Sequence, residues 1–107
     1  DVVNVKDFCQ LLRKAVTVEN VDGGFFNVGT GIGTSNEDWI RGIAKVFNPD
    51  GVESKIVYRP EMPSGPSYVM DIENCRELLG YEPKYDFLHF LEDFKAEMAL
   101  NRFKELR

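Results

Sequence analysis

The chain has 107 residues, 43% of them hydrophobic, with 13 basic and 18 acidic side chains and a net charge of −5. That size suits one small globular domain over residues 1–107 with a modest core, and an acidic balance without any Lys/Arg run argues against a nucleic-acid partner. No apolar run approaches the ~20 residues that span a bilayer, no signal peptide is visible, and Cys9 and Cys75 fit neither a CxxC nor a metal-ligand spacing, so the expectation is a cytoplasmic chain with two buried free thiols and no metal site.

The chain opens on Asp1, without Met, at a position that suits a helix cap. A start on the first residue of an element reads as a piece of a longer protein. In "DVVNVKDFCQLLRKAV", Val2, Val5, Phe8, Cys9, Leu12 and Val16 recur at helical spacing while Asn4, Lys6, Asp7, Arg13 and Lys14 take the other face. This predicts a first helix with those apolar residues inward. The turn residues of "ENVDGG" end it.

"FFNV" (25–28) predicts a short strand. A glycine loop follows, and then "SNEDWIRGIAKVF", where Ile40, Ile43, Ala44 and Phe47 form an apolar stripe. Thr34 and Glu37 have capping-box spacing, as do Ser35 and Asp38, so helix two starts close to Ser35, and "NPDG" ends it. "SKIVYR" (54–59) predicts a second strand, and the strand–helix–strand order predicts a right-handed crossover joining two parallel strands. "PEMPSGP" is a loop. "DIENCRELLG" predicts a short helix capped by Asp71, with Ile72, Cys75 and Leu79 inward and Gly80 at the left-handed C-terminal position. The stretch from Asp86 to Arg107 predicts the longest amphipathic helix, with Phe87, Phe90, Leu91, Phe94, Met98 and Phe103 on its apolar side. The fold class expected from these elements is α/β (α+β for this chain in isolation), with about four helices and a short two-stranded parallel sheet.

Gly29, Gly31 and Gly33 invite comparison with the dinucleotide fingerprint G-x-G-x-x-G. Their spacing is G-x-G-x-G, with Thr34 at the third fingerprint position. Of the acidic residues about 20 positions on, Asp50 follows "NP" in a turn, and Glu53 lies close behind it. The loop therefore reads as a strand-to-helix turn that uses glycine for close backbone approach, and no residue of the chain is assigned to cofactor binding. The helix start beyond it retains the capacity to favour an anion. His89 lies mid-helix with no nucleophile or ordering acid adjacent in sequence, and Trp39 reads as core, so no catalytic residue is assigned. Arg59 ends a predicted strand just before the proline-rich loop. Such strand ends gather ligands in α/β folds, and a guanidinium there can grip a phosphate with two prongs. The competing reading is an ordinary surface arginine.

"DVV" opening a helix, "FNVGTGIGTS" before a second, and "DIENCRELLGYEPKY" before a terminal amphipathic helix together resemble the NAD-dependent epimerase/dehydratase family, the extended short-chain dehydrogenase/reductases typified by UDP-glucose 4-epimerase. The resemblance covers the whole chain but only the C-terminal, substrate-binding third of such an enzyme, without its Rossmann half. It implies that Asp1 is the last Asp of a Val-Asp-Asp-Val-Val type segment. NAD would be bound by the missing N-terminal half, which would also carry the Tyr-x-x-x-Lys pair, since no Tyr here has Lys four residues later. By the same resemblance Arg59 contacts the diphosphate of a nucleotide-sugar substrate, although Glu61 and Met62 replace the Gly and Asp of the family's R-x-G-D-like segment. The parent reaction would be epimerisation or dehydration through transient oxidation. The first, second and last helices would pack partly on the missing half, so the lobe alone would expose an apolar patch and self-associate through it. The alternative is a stand-alone, non-catalytic binding or interaction module that reuses the same lobe.

Overall fold

The computed structural model describes residues 1–19, 21, 23–62, 65–102 and 104–106, and the backbone but not the side chain of Leu106. Among them the regular elements are α1 (Val5–Thr17), α2 (Asn36–Phe47), α3 (Glu73–Leu79), α4 (Phe87–Leu100) and a 3-10 turn, Lys104–Leu106. The residues group into two compact units, Asp1–Thr34 with Ser67–Asp86, and Ser35–Pro66 with Phe87–Arg107.

The expected α/β class is corrected by this architecture: no strand occurs among the described residues, so neither "FFNV" nor "SKIVYR" forms one and the two-stranded sheet is absent. The reason is a lack of partners. A strand exists only when its backbone groups are paired across a ladder; among the described residues 25–28 makes no backbone–backbone hydrogen bond, and 54–59 only the turn from Arg59 to Met62. In and just after the first segment, side chains take two of the carbonyls instead. The Cys75 thiol donates to the Asn27 carbonyl at 2.9 Å, and the Tyr81 hydroxyl donates to the Gly29 carbonyl at 3.1 Å.

In the first unit, α1 is capped by Asn4, whose Oδ1 accepts the Lys6 N–H at 2.8 Å. Asp1 is therefore not the cap. The helix also lies the other way round from expectation. Asn4, Asp7 and Leu11 are buried, whereas Val5, Phe8, Leu12 and Val16 are exposed, Val16 by 82%. A polar seam holds the inward face. Asp7 Oδ1 and Oδ2 accept the Lys84 N–H at 3.0 and 2.9 Å, and Oδ2 accepts the Tyr85 N–H at 3.0 Å. Gln10 donates to the Glu82 carbonyl at 3.0 Å and accepts its N–H at 3.3 Å. Cys9, expected to be buried, is exposed, while Cys75 is buried.

The core of this unit is Leu11, Ile72, Cys75, Leu79 and Tyr81, with Val18, Val21, Phe26 and Val28 packed against it. Ile72, Cys75 and Leu79 face inward as their spacing predicts. Asp71 caps α3 from one residue further out than expected: the formal cap is Ile72, and Asp71 Oδ1 accepts the Glu73 N–H at 3.0 Å. Gly80 is left-handed at φ 63°, with its N–H on the Arg76 carbonyl at 3.0 Å and that of Tyr81 on the Cys75 carbonyl at 3.1 Å, the bonding of a glycine C-terminal cap.

In the second unit, Ser35 caps α2. Its Oγ accepts the Asp38 N–H at 3.1 Å and donates to Asp38 Oδ2 at 2.6 Å, so of the two candidate capping pairs Ser35/Asp38 is the one used. Helices α2 and α4 pack together through Gly42, Val46, Leu91 and the Trp39–Phe87 ring pair, whose centroids are 4.5 Å apart. A Cβ on Gly42 would stand 2.6 Å from Phe87 Cε1, so this glycine serves close helix approach. Of the expected apolar stripe, Ile40, Ile43 and Phe47 are exposed and Ala44 is half-buried. Helix α4 stops at Leu100, short of the length expected, and Asn101 follows with φ 49°. Phe103, placed on its apolar side from sequence, lies outside the described residues.

Candidate functional site

The glycine loop lies in the first unit, and its donors converge on a carboxylate from the same chain. Asp1 Oδ1 accepts the Thr30 N–H and the Thr30 hydroxyl, each at 2.8 Å. Asp1 Oδ2 accepts the Gly31 N–H at 3.1 Å and the Met70 N–H at 3.2 Å. Thr30 is buried, and its Oγ1 also accepts the Ile32 N–H at 3.2 Å. Two glycines make the cradle possible. A Cβ on Gly29 would lie 2.5 Å from Asp1 Oδ2, and Gly31 adopts φ +73°, a left-handed conformation that L side chains rarely take. Gly33 has a different role, since a Cβ there would meet Val69 at 2.9 Å. The Thr30 and Gly31 amides of the loop are thus bonded to Asp1, and the Ile32 amide to the Thr30 hydroxyl.

Arg59 lies in the second unit, outside any strand, and is exposed. Its carbonyl accepts the Met62 N–H at 3.0 Å, so Pro60, Glu61 and Met62 form a turn directly after it. Among the described residues its guanidinium makes no ion pair or side-chain hydrogen bond, and Glu61 does not hold it.

Beside this segment is a cluster that sequence reasoning missed. Glu37 Oε1 accepts from Arg41 Nε at 2.8 Å and from the Tyr58 hydroxyl at 3.0 Å, with Arg41 Nη2 2.7 Å from the same oxygen. The bonds from Arg41 and then Tyr58 hold the Glu37 carboxyl below its ordinary range, and the bond to Glu37 raises Arg41. The i, i+4 spacing of Glu37 and Arg41 was a legible signal; the arrival of Tyr58 was not. Arg41 also lines an open groove of about 350 Å³ with Lys45, Asn48, Glu53 and Ser54.

Two further groups among the described residues are shifted by burial in the first unit. Burial, followed by the charge of Asp7, pushes the Tyr81 hydroxyl up to about 12, so it keeps its proton and serves as a donor to Gly29. Burial likewise raises the Cys75 thiol. His89 is exposed on α4. Among the described residues no group of His, Cys, Asp and Glu could hold a metal ion, and no helix is long and apolar enough to cross a membrane. Comparison of the chain with models of known families, with curated proteins and with solved structures finds no match.

Proposed function

We infer that the chain is the C-terminal substrate-binding part of a cytoplasmic, NAD-dependent epimerase/dehydratase that acts on a nucleotide sugar in the manner of UDP-glucose 4-epimerase. The observation that carries this reading beyond the motif order is the outward apolar stripe of α1. Val5, Phe8, Leu12 and Val16 are exposed on the helix side opposite Asp7 and Leu11. A helix presents such a stripe when another body covers it. In this reading that body is a Rossmann half, which binds NAD and brings the Tyr-x-x-x-Lys pair that the chain lacks. Arg59, exposed and without an ion-pair partner among the described residues, supplies a free guanidinium for the substrate diphosphate. The same stripe would serve a stand-alone, non-catalytic binding module.

The test is to express the reading frame extended upstream of Asp1 alongside the 107-residue chain, titrate both with NAD by calorimetry, and assay conversion of UDP-sugars. The extended protein is expected to bind NAD and convert a nucleotide sugar, and the 107-residue chain to do neither. An upstream sequence without NAD binding would remove the enzyme reading in favour of the module.

A further inference from the structure

We propose that the Thr30–Gly31 turn and the Met70 amide form a binding site for a small carboxylate, with the side chain of Asp1 as its resident ligand. The donor geometry specifies the ligand. Thr30 N–H and Thr30 Oγ1 address one oxygen at 2.8 Å each, and Gly31 N–H and Met70 N–H address the other at 3.1 and 3.2 Å. Two donors per oxygen on two oxygens match a planar carboxylate. A phosphate in the same place would leave further anionic oxygens without donors. The site is built around a buried side chain, since Thr30 is only 6% exposed, and its size is set by Gly29, whose missing Cβ would lie 2.5 Å from one Asp1 oxygen and 3.1 Å from the other.

This assignment stands apart from the epimerase/dehydratase reading, because it uses only residues of the first unit and invokes no nucleotide. It also accounts for what the amides of a loop with fingerprint-like glycines bind. Backbone amides freed for close approach by glycine form an anion-binding concavity, and here a tethered carboxylate occupies it at an effective concentration that a free anion cannot match. Removing the Asp1 side chain leaves that concavity empty, with its donors still held by the Gly29–Ile32 loop and by the stretch that runs into α3.

The experiment uses two variants of the 107-residue chain. Asp1→Ala removes the ligand and keeps the site. Gly29→Ala keeps the ligand residue and fills the site with a methyl group. Each is melted by far-UV circular dichroism in sodium formate, sodium phosphate and sodium chloride at matched ionic strength. Both variants are expected to lose on the order of 10 °C in Tm in chloride. Formate should restore Asp1→Ala saturably towards the unmodified chain while leaving Gly29→Ala and the unmodified chain unmoved, and phosphate should act no better than chloride. If Asp1→Ala is unfolded in chloride, recovery of its helical signal in formate gives the same decision. No recovery in formate, or an equal gain in all three proteins, would overturn the site. Recovery by phosphate as strong as by formate would overturn its assignment to carboxylates.

Discussion

Asp7→Ala isolates what turns α1 towards its own core. Asp7 is 1% exposed, and its carboxylate accepts the Lys84 N–H at 2.9 and 3.0 Å and the Tyr85 N–H at 3.0 Å. Alanine removes the acceptor and leaves both N–H groups without a partner in a partly buried place. An orphaned donor costs about 1–3 kcal/mol, and bonds to a charged acceptor lie towards the upper end. Partial rescue by water works the other way, so the expected loss is about 2–4 kcal/mol. That is a large share of the roughly 5–15 kcal/mol that holds a small domain together, and it corresponds to a fall in Tm of roughly 10–25 °C. Asp7→Asn keeps one carbonyl oxygen but turns an NH2 group towards N–H donors, and it should fall between the two. Urea unfolding followed by far-UV circular dichroism measures the series, with the midpoint moving and the slope unchanged. Amide exchange at Lys84 and Tyr85 should accelerate in the alanine variant. A loss below about 0.5 kcal/mol, the range of an ordinary surface change, with both amides still protected, would refute the seam as the anchor of α1.

Tyr81 links stability to alkaline pH. Its hydroxyl titrates at about 12 in the folded chain against an ordinary 10.0, so between those values the folded state keeps a proton that the unfolded state has lost. Stability is therefore intact below pH 10 and falls by roughly 2–3 kcal/mol as the pH rises to 12; Tm against pH should show that fall, and Tyr81→Phe should lose its share of it. Gly42→Ala gains about 1 kcal/mol of helix propensity, but its Cβ meets Phe87 Cε1 at 2.6 Å. Overpacking of about 1–3 kcal/mol should win, with a shifted Trp39 fluorescence, and a stabilised variant would show that the α2–α4 contact yields freely. In the extended enzyme, Arg59→Ala should weaken nucleotide-sugar affinity about ten- to a hundredfold and change Tm little; unchanged KM and kcat/KM would leave Arg59 a surface arginine. The 107-residue chain should self-associate in sedimentation velocity, and Leu12→Glu with Val16→Glu should shift it to monomer without lowering Tm, because both side chains are exposed. A chain already monomeric at high concentration would count against α1 as a covered face.

The helices were legible because their causes are local. Apolar spacing near 3.6, the Ser35 cap, the Asp71 carboxylate and the left-handed Gly80 act over a few residues and require nothing from distant chain. The strands were not legible in the same way. Aromatic and β-branched residues mark segments that suit a ladder, but the Asn27 carbonyl finds the Cys75 thiol, and the adjoining Gly29 carbonyl the Tyr81 hydroxyl, in place of a neighbouring strand. In the candidate site, the sequence pointed to the glycines and to Arg59. It gave no sign of the Asp1 carboxylate or of Tyr58 on Glu37, which come from 29 and 21 residues away.

By itself, the sequence determined that four helices form, where the Ser35 cap starts the second and the left-handed Gly80 ends the third, and that the loop at Gly29 needs backbone freedom; the start of α1 at Asn4 and the end of α4 at Leu100 it did not. Only the tertiary structure decided which side of each stripe is covered. Periodicity identifies an apolar face without saying what lies against it. On α1, Asp7 and Gln10 bond the backbone of 82–85 and hold the polar side inward, and the stripe of Val5, Phe8, Leu12 and Val16 is left outside. The inward side of α1 is fixed by two things together, Leu11 entering the core and a buried carboxylate that takes the Lys84 and Tyr85 N–H groups, and both partners come from chain more than 60 residues away, which no periodicity announces.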